Sequence, residues 1–253
     1  MSSRAQVPSA ASTLLARLLD GPPRPLVEAA RTRLSVHYTT GDARLPVLCV
    51  VTPEAVRLPN AVVSSTLPGH GAVTVGKGML RSATADWRVS RWWRPPRPAG
   101  LEPPPDLSMA AEALRRAAVR APGDPAVRPS YDALDPSLLL GHGPGLTPSG
   151  DDLLAAALVT ARATGDPRLP AWRAGTVAAL TPGRTTAVSH GILSAALDGW
   201  ATPELAGFLD AVCGAGELTR ATDRLLAVGH SSGAALARGV LHTLTTRELR
   251  GAA

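Results

Sequence analysis

Aromatic side chains are scarce: Phe, Tyr and Trp make up 3% of the 253 residues. A core of stacked rings is excluded, and close packing falls to Ala, Leu and Val. Lysine is almost missing. Lys77 stands alone, so nearly all positive charge is on arginine and no lysine is placed to assist phosphate transfer. The two cysteines, Cys49 and Cys213, are too few for a disulfide framework or a zinc site. Cys49 lies in the apolar run Val47 to Val51 and reads as core; Cys213 ends a predicted helix and reads as structural. No apolar stretch is long enough to span a bilayer, and Arg17 interrupts Leu14 to Leu19 where a signal peptide would need its apolar region. These absences predict a reduced, cytoplasmic protein.

Hydrophobic residues are 45% of the chain, enough for a sizeable core, and the formal net charge is +6. The arginines are scattered. Their one dense cluster, Arg81 to Arg97, is interleaved with Trp87, Trp92 and Trp93. Such alternation can stack on bases, but a strand with arginine on its wet face explains it more simply. Scattered arginine suits small anionic ligands better than nucleic acid or a membrane surface.

The chain divides by texture. Residues 1–32 read as helical, with Ser12 capping Thr13 to Leu19 before a proline-rich break at Gly21 to Pro25. From Leu34 to Trp93 short β-branched runs appear: Val47 to Val51, Ala61 to Ser65, Ala72 to Val75 and Trp87 to Ser90. Gly and Pro separate them, as in a small sandwich or barrel. Arg94 to Pro105 is a proline-rich linker. Helical spacing then recurs at Leu107 to Arg120, Pro136 to Leu140, Asp151 to Ala163, Pro170 to Leu180, Thr185 to Leu197, Pro203 to Cys213, Leu218 to Val228 and Ser231 to Leu249. The expected fold is α+β: residues 1–105 hold an N-terminal helix, a small β sandwich or barrel and the linker, and residues 106–253 an all-α domain.

Three segments of the second half concentrate chemistry. The first is Gly141-His142-Gly143-Pro144-Gly145-Leu146-Thr147-Pro148-Ser149-Gly150-Asp151-Asp152. Its glycines let backbone N–H groups approach a ligand, and the helix it opens offers donors and a partial positive charge. Asp151 and Asp152 are placed to move a proton or hold a cation. Magnesium is the ion they suit, and the sequence leaves metal binding open. Capping by Thr147 or Ser149 accounts for one hydroxyl, not for the whole density of the loop.

The second segment runs Pro182-Gly183-Arg184-Thr185-Thr186-Ala187-Val188-Ser189-His190. If Thr185 opens a helix, Thr185 and Ser189 share one face, and Thr186 and His190 another. An arginine with two hydroxyls at a helix start is an oxyanion site; the alternative is a capping threonine and a back-bonded serine. The third is Gly229-His230-Ser231-Ser232-Gly233, in which His230 is a candidate general acid. Neither serine has a visible aspartate partner, so a triad hydrolase is not indicated. The run Ser149-Gly150 before a helix is echoed by Ser232-Gly233, which points two helix starts at one cavity. Among the remaining histidines, His37, His70, His142 and His242, no metal-ligand spacing appears, and only His142 borders a motif.

Together the three motifs resemble the AllH-like family, formerly a bacterial domain of unknown function and placed as the third subunit of the three-part oxamate carbamoyltransferase of anaerobic allantoin breakdown. The likeness rests on Gly145 to Asp152, on Thr185, Thr186 and Ser189, and on Gly229 to Gly233. The Gly-Arg-Thr-Thr turn is also similar to the Ser-Thr-Arg-Thr turn with which ordinary carbamoyltransferases hold carbamoyl phosphate. The resemblance implies carbamoyl transfer between carbamoyl phosphate and oxamate or a related acceptor, made with partner subunits or as a homo-oligomer. Arg184 and the hydroxyl-bearing turns would bind the anionic groups, and His230, Asp151 or Asp152 would carry the proton. Two other readings stand beside it. One is an ATP- and magnesium-dependent small-molecule phosphotransferase, since the third motif resembles a kinase Gly/Ser loop. The other is a non-catalytic, metabolite-binding regulatory subunit.

Overall fold

The computed structural model describes residues 4–104, 106–112 and 134–251. Residue contacts group the chain into two units. One comprises Met1–Pro95 with His190–Ser194, the other Pro96–Ser189 with Ala195–Ala253.

Eight strands build the first unit: β1 (Ala5–Ser12), β2 (Arg24–Arg31), β3 (Ser35–Thr39), β4 (Val47–Val51), β5 (Ala61–Ser64), β6 (Val73–Gly76), β7 (Met79–Arg81) and β8 (Ala85–Trp93). They close into a barrel in the order β1-β5-β4-β3-β2-β6-β7-β8. The β1/β8 and β4/β5 pairs are parallel and the rest antiparallel. The side-chain alternation of a strand sorts the residues into two clusters. Val36, Tyr38, Leu48, Val50 and Val62 join one, while Cys49, Val51 and Ala61 join another. Hence β4 is buried along its whole length and reads as an unbroken apolar run. Of the two architectures expected here, the closed barrel is the one observed.

The expected N-terminal helix over 1–32 is corrected. Among the described residues of this stretch, only a 3-10 turn at Thr13–Leu15 and a short helix α1 (Ala16–Asp20) are helical, flanked by β1 and β2. Ser12 does cap this turn, its hydroxyl accepting from the Leu14 N–H at 3.2 Å. Alanine gives β1 and β2 a helix-favouring composition, but pairing within the barrel overrides it. Leu15, Leu18 and Leu19 join the cluster of Val36 and Tyr38, each such burial being worth about 1.5–3 kcal/mol. The Arg/Trp segment is strand β8. Arg88 and Arg91 are exposed on it, Trp87 is buried, and Trp92 is 44% exposed.

The second unit is helical: α2 (Pro136–Leu139), α3 (Ser149–Ala163), α4 (Leu169–Ala179), α5 (Ala187–Leu197, whose middle residues group with the barrel), α6 (Pro203–Val212), α7 (Leu218–Leu226) and α8 (Ser232–Gly251). The expected helix Leu107 to Arg120 is helical over 108–112, and its remainder lies outside the described residues. Starts are marked by local chemistry. Asp135, Thr202 and Glu217 cap α2, α6 and α7, and Pro occupies the first turn of α2, α4 and α6. Every residue of α3 except Arg162 is buried, so this helix is the centre of the unit. Gly239 of α8 lets the two helices approach: a Cβ there would stand 2.3 Å from the Leu153 carbonyl oxygen. Asp166, just past α3, is locked to Arg168, whose guanidinium also donates to the Thr243 carbonyl at 2.7 Å.

Candidate functional site

The loop 140–148 turns sharply after α2 because Gly141 adopts φ +73°. A side chain at this position would meet the Arg184 carbonyl oxygen at 2.2 Å, so only glycine lets the first and second motifs touch. The Gly141 N–H donates to Asp151 Oδ1 at 2.7 Å. The Thr185 hydroxyl donates to Asp151 Oδ2. Asp151 is 2% exposed. Burial pushes its carboxyl up, against the opposing pull of the Thr185 hydroxyl, the Gly141 N–H, Ser189 and the Arg184 charge.

The third motif joins through hydroxyls. Thr147 Oγ1 and Ser232 Oγ lie 2.7 Å apart although 85 residues separate them in sequence. Thr186 Oγ1 donates to the Leu146 carbonyl at 2.5 Å and accepts from the Ser189 N–H at 3.1 Å. Asp152 sits beside the Thr147 and Ser232 hydroxyls and is 3% exposed. Burial pushes its carboxyl up to about 7; Ser232 and Thr147 oppose this, and the neighbouring Asp151 charge adds to it. Its Oδ2 is buried without a hydrogen-bond partner.

The two Ser-Gly helix starts are built alike. A Cβ on Gly150 would stand 2.0 Å from the Leu139 carbonyl oxygen at the end of α2, and one on Gly233 would stand 2.0 Å from the Leu225 carbonyl oxygen near the end of α7. Each glycine N–H is taken by the preceding turn, Gly150 by His142 O and Gly233 by Val228 O, both at 2.9 Å. The echo in the sequence therefore marks two starts pressed against the helix before them.

Several details differ from the sequence-based expectation. Thr186, not Thr185, caps α5, which frees the Thr185 hydroxyl for Asp151. Neither Thr147 nor Ser149 caps α3; Pro148 holds the N-cap position without a side-chain bond, because Thr147 is committed to Ser232 and Ser149 is buried. The N–H groups of Asp151 and Asp152 both turn back to Pro148 O, so the α3 start presents fewer open donors than expected.

The remaining candidates fall around this cluster. His142 is half-buried, with Nε2 enclosed and unpartnered. Gly143 and Gly145 have φ +115° and +92° in the loop's outer turn. Ser189 is 1% exposed; its hydroxyl lies beside Asp151 and favours its charged form, yet completes no well-formed hydrogen bond. Arg184 is exposed and donates through Nη2 to the Ser137 carbonyl at 2.5 Å. Ser231 is half-buried, its carbonyl accepting from Ala235 N–H at 3.0 Å. His230 is exposed and has no hydrogen bond to either aspartate among the described residues. Sequence reasoning missed the Leu146 and Ser137 carbonyls, because a backbone acceptor leaves no signal in residue identity.

Asp152 Oδ2, Ser189 Oγ and His142 Nε2 are each buried without a hydrogen-bond partner, so hydrogen-bonding capacity is left unspent around the start of α3. Among the described residues no group of three His, Cys, Asp or Glu side chains is placed to hold a metal ion. No helix among them is long and apolar enough to cross a membrane.

Residues 139–244, which contain all three motifs, match the family model described as oxamate carbamoyltransferase subunit AllH. No curated protein and no solved structure matches the chain.

Proposed function

From the AllH match of residues 139–244, we propose that this chain is a subunit of an enzyme that transfers a carbamoyl group, with carbamoyl phosphate and oxamate or a related amide as the reacting pair. The observation that carries the reading is the hydrogen-bonded meeting of three separate motifs through Thr185–Asp151, Thr186–Leu146 and Thr147–Ser232. Packing alone does not call for two buried aspartates at that junction.

The transfer exchanges a C–O bond to phosphate for a C–N bond, and one proton leaves or joins the nitrogen. Arg184, exposed at the rim and with guanidinium hydrogens beyond the one given to Ser137, is the group for the phosphate or carboxylate end. Asp152 is poised near neutrality, the range in which a carboxyl both takes and returns a proton at working pH. Partner subunits, or further copies of this chain, would complete the site.

Calorimetry with inorganic phosphate and carbamoyl phosphate tests this. Arg184→Ala is expected to weaken both by about tenfold or more, the loss of a charge-assisted hydrogen bond being worth about 1.5–3 kcal/mol. Unchanged affinity would remove Arg184 from the site.

A further inference from the structure

Between α6 and α7, within the helical unit, lies a hollow of about 260 Å³ that no residue of the three motifs lines. Sites for drug-sized ligands span roughly 300–1,000 Å³, so the guest that fits here is a small metabolite. Three features of the lining have no explanation in folding alone.

The first is Gly207, in the middle of α6, where glycine weakens a helix relative to alanine. Packing does not call for it, because a Cβ at this position meets nothing within 4 Å. Its effect is to keep the hollow open. The second is the pair Arg220 and Arg224, four residues apart on α7 and both on the lining. Like charges at that spacing repel, and neither guanidinium has a hydrogen-bond or ion-pair partner among the described residues. The third is Glu204, on the α6 side. Its carboxylate has no hydrogen-bond or ion-pair partner among the described residues, and its Oε2 is closed off from solvent. Glu217 lines the hollow too but is spent: its two oxygens accept from the Thr219 and Arg220 N–H groups, both at 2.8 Å.

The lining is therefore neutral in sum and polarised in arrangement, with two unpaired cations on α7 and an unpaired carboxylate on α6. A guest that is only an anion leaves Glu204 uncompensated, and one that is only a cation meets two arginines. A guest with a carboxylate at one end and an ammonium group at the other answers both. Ala211 and Ala221 add an apolar stretch of wall suited to a short hydrocarbon chain.

We infer that this hollow binds a small aliphatic α-amino acid as its zwitterion. Arg220 and Arg224 hold the carboxylate, Glu204 holds the ammonium group, and the side chain lies toward Ala211 and Ala221. The site is separate from the carbamoyl-transfer reading and does not depend on it.

The test titrates three probes into the full chain by calorimetry: L-leucine, N-acetyl-L-leucine, which lacks the ammonium group, and L-leucinamide, which lacks the carboxylate. Leucine is expected to bind at least about tenfold more tightly than either blocked form. Glu204→Gln, close in shape and uncharged, should erase its advantage over N-acetyl-L-leucine. Arg220→Gln combined with Arg224→Gln should erase its advantage over L-leucinamide. Gly207→Leu should fill the hollow and abolish leucine binding while the melting transition stays cooperative. Absence of leucine binding, a blocked form that binds as well as leucine, or leucine binding that survives Gly207→Leu overturns the assignment. Phosphate binding at Arg184 is read separately, so each of these results leaves the carbamoyl reading where it stood.

Discussion

At Asp151 the two hydrogen bonds join backbone and side chain across 10 and 34 residues of sequence. Asp151→Asn keeps the size but turns one acceptor into a donor facing the Gly141 N–H or the Thr185 hydroxyl. The expected result is a loss of about 1–3 kcal/mol in urea unfolding, the range for a buried hydrogen-bond partner left unmatched. Thr185→Val should give a smaller loss in the same assay, because it removes one donor and leaves the other. Residue identity alone revealed that Asp151 and Asp152 matter, since adjacent carboxylates at a helix start with glycines around them are unusual. It could not separate their tasks. That depends on which oxygen meets which donor, and Thr185 became the donor only because Thr186 took the capping position.

At the scale of elements, Gly150 and Gly233 make the helix starts possible. A methyl at either would meet a backbone carbonyl oxygen at 2.0 Å, and backbone cannot swing aside as a side-chain tip can. Gly150→Ala and Gly233→Ala are each expected to cost about 3 kcal/mol or to abolish cooperative unfolding. Gly207→Ala supplies the contrast. It lies in α6, is exposed, and a Cβ there meets nothing within 4 Å, so the change should stabilise by about 0.5–1 kcal/mol. Thermal unfolding of the three variants checks the order. The helices α3 to α8 were readable from spacing because apolar positions recur every three or four residues and caps or prolines mark the starts. Strand β4 was readable from its five consecutive buried residues. Strands β1 and β2 were not. Their alanines fit a helix as well as the crowded inside of a small barrel, and the deciding contacts come from β5, β6 and β8, far along the chain.

Across the whole molecule, two buried groups, Asp152 in one unit and His37 in the other, respond to acid in opposite senses. Asp152 is raised from its ordinary 3.8 to about 7, so between those values the folded state binds the proton and the unfolded state does not. The stability it confers is complete below about pH 4 and is lost as pH rises through 7. His37, on β3 opposite Cys49, is 3% exposed and lowered from 6.5 to about 4 by burial. Its contribution is complete above 6.5 and is lost as pH falls through 4. Taking the protein from pH 7 to pH 5 should therefore raise the opening free energy of α3 amides and lower that of β3 and β4 amides. Hydrogen exchange, corrected for the intrinsic pH dependence of the rates, reads both at once; shifts of one sign in both units would contradict the burial described for one of these groups. The closed ring of strands carries a last consequence. Each strand in it has a neighbour on both sides, so among the described strands no row of open main-chain groups is left for another polypeptide to zip onto. Assembly through this unit has to be read from side-chain relief and charge, which makes its associations selective and guards it against templated, fibre-like growth.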